Sequence, residues 1–206
     1  MAEVHVPTSN IVASSSFSTS YMTSKREEFT IWMKSLVLQG NGCTVFNENG
    51  EIVYRIDNYD KKCNNEVHLM DLGGNVLFTI IRRKLWVFRR WDLYKCNASK
   101  YNKGEPLFQV RKNCRVPKGD VSYQVTMRSE KAQASCYRLE GSTSGESAFK
   151  IIDSRLGELV AEARQKHSSS GVGLGHDVLT LMVEPQVDHS IIMALVAVYG
   201  LMQCRM

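Results

Sequence analysis

The sequence predicts a mainly β protein: a closed antiparallel barrel of about twelve strands, threaded by one hydrophobic helix near its end. Three observations lead there. Short apolar stretches of strand length recur from Phe29 onward, cut by Gly, Asn, Asp and Lys. Several of them alternate with a period of two, the mark of a sheet with one wet face. Lastly, residues 191–202 carry no charge at all. As a helix this run is apolar all the way round and needs burial on every side. A sheet that wets one face must bury the other. A closed barrel wrapped around the helix meets both demands and removes the sheet's edges.

The apolar run is taken first because the rest is arranged around it. Its length separates a core helix from a membrane span, since a bilayer needs about 20 apolar residues. Ala, Met and Leu are interleaved with the β-branched residues, which favours helix. A buried strand and a membrane-inserted segment stand as the alternatives, because periodicity does not distinguish a buried strand from a buried helix. Pro185 suits a first helical turn, and Asp188 places negative charge near the positive end of the helix dipole. The central helix is expected to bury Ile191, Ile192, Met193, Leu195, Val196, Val198 and Tyr199.

Strands are expected at about 28–38, 42–47, 51–57, 66–71, 75–83, 90–96, 106–113, 121–128, 135–140, 147–153, 158–165 and 177–184. Alternation is clearest at Val121, Tyr123, Val125 and Met127, set against Ser122, Gln124, Thr126 and Arg128. Ile52, Tyr54 and Ile56 repeat the pattern against Glu51, Arg55 and Asp57. Asn47-Glu48-Asn49-Gly50 and Leu72-Gly73-Gly74-Asn75 read as hairpin turns. Gly141 to Glu146 and Ser168 to Gly175 read as loops by composition.

Residues 1–24 are polar and rich in Ser and Thr, and are expected to form a flexible tail ahead of a single barrel domain at 25–206. The net charge of +5 permits attraction to phosphates or acidic lipid surfaces. The six cysteines (Cys43, Cys63, Cys96, Cys114, Cys136 and Cys204) show no C-x-x-C pairing. Residues 1–22 lack the pattern of a signal peptide, so reduced thiols in a cytosolic or nuclear setting are expected. Asn97-Ala98-Ser99 then matches a glycosylation acceptor by chance.

A family resemblance rests on Trp32 with Lys34-Ser35-Leu36, Gly42 with Thr44-Val45-Phe46, and Tyr54-Arg55 with Asp57-Asn58-Tyr59. It continues through Leu69-Met70-Asp71, Gly74-Asn75, Ile81-Arg82-Arg83-Lys84 and Arg90-Trp91. Near the end it takes in Asp177-Val178, Val183-Glu184-Pro185 and the run from Ile191 to Val198. In order and spacing, residues 25–202 resemble the LURP-one-related family of plant proteins, which shares the tubby C-terminal fold also assigned to phospholipid scramblases. The resemblance implies a 12-stranded barrel around a central helix. It also implies a link to plant defence and, by analogy with the wider superfamily, phosphoinositide binding or membrane tethering.

The most unusual surface segment runs from Arg82 to Trp91, with five cations, three aromatics and no acid before Asp92. One reading turns Trp86 and Phe88 into the barrel and leaves the cations as a solvated strand end. Another makes Lys84 to Arg89 a loop in which Arg82, Arg83, Lys84, Trp86, Phe88, Arg89 and Arg90 bind anionic lipid, with cations on headgroups and rings at the interface. Single-stranded nucleic acid is the third and least favoured reading. Lys25-Arg26 and the group Arg111, Lys112, Arg115 and Lys118 read as solubility charges.

Catalytic and metal readings find little support. Gly171-Val172-Gly173-Leu174-Gly175 invites a phosphate loop, but that requires a following helix, and a strand is expected instead. Asp188-His189-Ser190 lists the members of a catalytic triad side by side, whereas triads assemble from separate parts of a fold, so capping is expected. His5, His68, His167, His176 and His189 lack metal spacing, and no acidic calcium loop is present. The expected protein is a non-enzymatic, cofactor-free monomer, cytoplasmic or peripheral at the plasma membrane, with the nucleus open. It docks on anionic lipid, phosphoinositide included, or on a signalling protein. A barrel binding a small apolar ligand, and scramblase-like lipid handling, are the alternatives.

Overall fold

A computed structural model describes residues 21–33, 41–58, 66–85, 88–97, 100–101, 104–113, 120–129, 132–142, 147–168, 171–175 and 177–203. Its strands are β1 (Glu27–Trp32), β2 (Asn41–Phe46), β3 (Ile52–Asn58), β4 (Glu66–Asp71), β5 (Val76–Leu85), β6 (Phe88–Asn97) and β7 (Lys100–Tyr101). They continue as β8 (Phe108–Lys112), β9 (Asp120–Ser129), β10 (Ala132–Ser142), β11 (Ser147–Asp153), β12 (Leu159–Gln165) and β13 (Val178–Val183). One helix, α1 (His189–Met202), follows. All pairings are antiparallel. The order runs β5-β4-β3-β2-β1-β13-β12-β11-β10-β9-β8-β6, and β6 pairs back onto β5. Twelve strands therefore close a barrel, while β7 pairs with the end of β6 as a two-residue spur.

Closure follows from the inward rows. Each of the twelve strands turns alternate apolar residues onto the lumen, and the register sets these opposite one another. Val67 faces Ile80, Ile80 faces Leu93, and Leu93 faces Phe108. Further round, Leu139 faces both Tyr123 and Ile151, and Phe29 faces Leu181. All of these are buried. The β2–β3 turn is held by Asn47, whose Oδ1 accepts from the backbone N–H of Asn49 and Glu51 at 3.0 and 2.9 Å. Gly50 follows with φ 77°, a conformation that favours glycine.

α1 lies inside this ring. Every residue from Ser190 to Gly200 is buried, so the helix has no solvent face. Its aromatic end is fixed by Tyr199, which stacks on Phe149 with ring centroids 4.4 Å apart, meets Tyr123 edge-on, and donates its hydroxyl to the Ala148 carbonyl at 3.1 Å. Gly141 makes room for that hydroxyl, because a Cβ there would collide with it. No helix among the described residues is long and apolar enough to cross a membrane.

The helix starts later than the sequence suggested. Asp188 is the N-cap, accepting from Ser190 N–H at 2.9 Å. Pro185 sits in a preceding turn with Gln186 at φ 62°, outside the first helical turn. The chain needs that turn to reverse from the end of β13 into the lumen. Tyr21 and Met22, assigned to the polar tail on composition, lie against the barrel: Met22 bridges to Asp188, and Tyr21 meets Tyr54 and His189. Residues 1–20 lie outside the described residues.

His189 plugs this end of the lumen. Its Nδ1 is 2.5 Å from the Tyr54 hydroxyl, and its Nε2 is 3.7 Å from Glu27 Oε2. Burial raises the Tyr54 pKa, which keeps the phenol protonated beside Nδ1. Burial lowers the His189 pKa, against the opposing pull of Glu27 and Asp188.

Three outcomes test this packing. Leu195, fully buried, should cost about 2–5 kcal/mol as Leu195→Ala in urea unfolding, because the ring cannot collapse onto the void. Gly141→Ala should cost about 1–3 kcal/mol by overpacking against Tyr199. Below the ordinary histidine pKa of 6.5 the unfolded chain takes up a proton at His189 more readily than the folded one, so stability falls as pH falls through that value. Thermal midpoints between about pH 8 and about pH 5 should therefore show the wild type's lead over His189→Gln narrowing on acidification.

Candidate functional site

The basic aromatic segment forms the hairpin between β5 and β6. β5 continues through Leu85 and β6 begins at Phe88, with Lys84 opposite Arg89 and Leu85 opposite Phe88. The expected loop from Lys84 to Arg89 is thus ladder at 84–85 and 88–89, and residues 86–87 lie outside the described residues. Charge alone does not end a strand when the ladder continues and alternate side chains reach solvent. The side chains of Lys84, Phe88 and Arg89, and the whole of Trp86, lie outside the described residues.

Because successive strand residues point to opposite faces, the hairpin divides the cations. Arg82 stands opposite Trp91, with its guanidinium carbon 5.8 Å from the Trp91 ring centroid. Trp91 itself belongs to the core. Arg82 Nε is buried with no hydrogen-bond partner among the described residues. Arg83 stands opposite Arg90 on the outer wall, and Arg90 in turn faces Arg111 on β8. Three guanidinium groups therefore form a row across three adjacent strands. Arg111 had been read as a solubility charge. Only the cross-strand register brings it to Arg90, and no spacing in the sequence carries that information.

One carboxylate lies beneath the row. Asp92 is 1% exposed. Arg90 Nη2 donates to its Oδ2 at 3.0 Å, and Arg83 Nε lies 3.4 Å from the same oxygen. Arg83 also donates to the Tyr94 hydroxyl at 3.1 Å, and Arg111 to Gln109 Oε1 at 3.3 Å. Like charges directly opposite across strands are destabilising, and Asp92 offsets only part of this. The result is a patch of preorganised, planar donors with a surplus of positive charge. Guanidinium forks match phosphate oxygens bidentately.

Other candidates offer less. On the outer wall of β12, β13 and β1 lies an open groove of about 330 Å³, floored by Leu159 and Met182. Its charges pair internally, Arg26 with Glu184 and Arg164 with Glu162. Asp188, His189 and Ser190 form a cap and a plug rather than a triad: Ser190 bonds to Asp188, while His189 turns to Tyr54. Cys43, Cys96 and Cys136 are free and buried; burial pushes the Cys43 thiol up to about 12 and that of Cys136 to about 11, which leaves both un-ionised. Among the described residues no three His, Cys, Asp or Glu side chains cluster as a metal site. Residues 171–175 belong to the β12–β13 connection and lead into a strand, so no helix N-terminus faces these glycines.

Comparison with known proteins agrees with the architecture. The LURP-one-related family model matches residues 27–200. Protein LURP-one-related 4 of Arabidopsis thaliana is 46% identical over 189 residues, covering 90% of this chain and 83% of that protein. Protein LURP-one-related 11 of the same plant is 42% identical over 210 residues, covering 99% and 90%. An X-ray structure of another Arabidopsis thaliana protein superposes with a TM-score of 0.61 at 16% identity, covering 86% of this chain and 91% of that one, which shows a shared fold. With the match spanning nearly the whole barrel, from the first strand to the buried helix, the chain belongs to the LURP-one-related family.

Proposed function

We propose that this protein is a non-enzymatic barrel module that docks on anionic membrane surfaces, with phosphoinositide headgroups as the preferred ligand, in plant defence or stress signalling. The observation that carries the reading is the cross-strand row Arg83, Arg90 and Arg111, which holds a surplus of positive charge on the rigid outer wall. Arg82, on the opposite face beside Trp91, adds positive charge at the same hairpin. A lumen filled by α1 speaks against a small apolar ligand inside the barrel. It equally speaks against insertion of that helix in a bilayer.

The test is sedimentation with phosphatidylcholine vesicles containing phosphatidylserine or, at matched charge, phosphatidylinositol bisphosphate. Removing Arg83 and Arg90 together would strand Asp92 as an unpaired buried charge. The informative variant is therefore Arg83→Ala/Arg111→Ala, which keeps the Arg90–Asp92 pair. At about 1 kcal/mol for each cation near an anionic surface, it should bind about tenfold or more weakly, and added salt should weaken the wild type. Wild-type protein that ignores both vesicle types, or a variant that binds equally well, would overturn the reading.

A further inference from the structure

Consecutive connections of an antiparallel ring alternate between its two ends. The helix enters from one end, after β13. Counting from there, the β5–β6 hairpin and the β12–β13 connection both lie at the other end. On either way round the ring four strands separate these two hairpins, so they stand across the rim from each other.

The β12–β13 connection exposes two apolar side chains, Val172 at 64% and Leu174 at 50%. They alternate with Gly171, Gly173 and Gly175. The backbone around them is internally bonded: Ser168 N–H donates to the Val172 carbonyl at 2.7 Å, and Val172 N–H to Ser168 Oγ at 3.1 Å. Gly171 N–H reaches the Ser168 carbonyl, Leu174 N–H reaches the Lys166 carbonyl, and Gly173 bridges to His167. A segment in which several polar backbone groups are already paired loses fewer hydrogen bonds to water on entering a less polar layer.

Exposed leucines also occur at the opposite end, Leu72 at 75% and Leu156 at 69%. The surroundings differ in charge. That end carries Glu48, Glu51, Asp71, Asp153, Glu158 and Glu184 in or beside its turns against Lys25, Arg26 and Arg155, with Glu184 and Asp153 paired to Arg26 and Arg155, so acids outnumber cations there. Lys166 and His167 precede the Val172 loop and Asp177, which accepts from Trp32 Nε1, follows it, while the arginine row supplies the cationic surplus at this end of the barrel.

We infer that the Gly171–Gly175 loop is a second, apolar anchor, which enters the headgroup layer of an anionic bilayer while the arginine row binds phosphates across the rim. The barrel then stands on the end away from the helix N-terminus. This rests on the membrane-docking reading proposed above and adds to it an insertion element and an orientation.

The test uses the full chain with phosphatidylcholine vesicles, with and without phosphatidylserine, and thermal midpoints to confirm folding. Val172→Ser/Leu174→Ser should lower the partition coefficient on the anionic vesicles about tenfold or more, from lost apolar burial. Leu72→Ser/Leu156→Ser should leave it unchanged. The loss should persist at high salt, unlike that of Arg83→Ala/Arg111→Ala. If the wild type binds and the Val172/Leu174 variant binds equally, or the Leu72/Leu156 variant loses as much, the anchor is refuted while docking stands. If the wild type binds neither these vesicles nor those carrying phosphatidylinositol bisphosphate, the docking reading fails and the anchor with it.

Discussion

A helix with no polar side forces almost every other choice in this molecule. From Ile191 to Tyr199 each side chain is buried, and at roughly 1.5–3 kcal/mol for a large apolar side chain these contacts form the densest part of the core. That figure is an upper estimate, because the unfolded chain already hides part of the same area. Only a surface that surrounds the helix completely can bury it. Twelve strands closed on themselves provide one, and closure also removes the exposed edges along which an open sheet would aggregate.

The two ends of the lumen are sealed differently. At the entry, Asp188 caps the helix, and His189 sits among Tyr21, Phe29 and Tyr54 in a plug that is aromatic but hydrogen-bonded. At the far end Tyr199 wedges between Phe149 and Tyr123 and spends its one polar atom on the Ala148 carbonyl. With the interior occupied, recognition is left to the wall and the rims. There the fold adds rigidity: a guanidinium row on paired strands would lose little conformational freedom in the proposed docking.

In the proposed role, that row sets stability against function. Arg83, Arg90 and Arg111 repel one another across the ladder, and a single buried carboxylate holds two of them. Local departures of this kind from the arrangement that stability alone favours are expected where a surface has a task. The Val172 loop carries the same signature in apolar form, since exposed Val and Leu gain nothing for the isolated barrel.

By itself the sequence determined the strands, the turns and the buried helix, because each is written in local chemistry. Period-two alternation marks Tyr123 and Val125, an Asn-Gly turn marks residues 47–50, and an uncharged run marks α1. The start of the helix was misread at Pro185, since a reversing turn after β13 and a helical first turn draw on the same residue types. Only the tertiary structure decided which cations stand together. Arg82 and Arg83 are neighbours in sequence yet sit on opposite faces, whereas Arg111, distant in sequence, stands beside Arg90. Cross-strand register is a property of paired segments and of the closed ring that aligns them, and no single segment contains it.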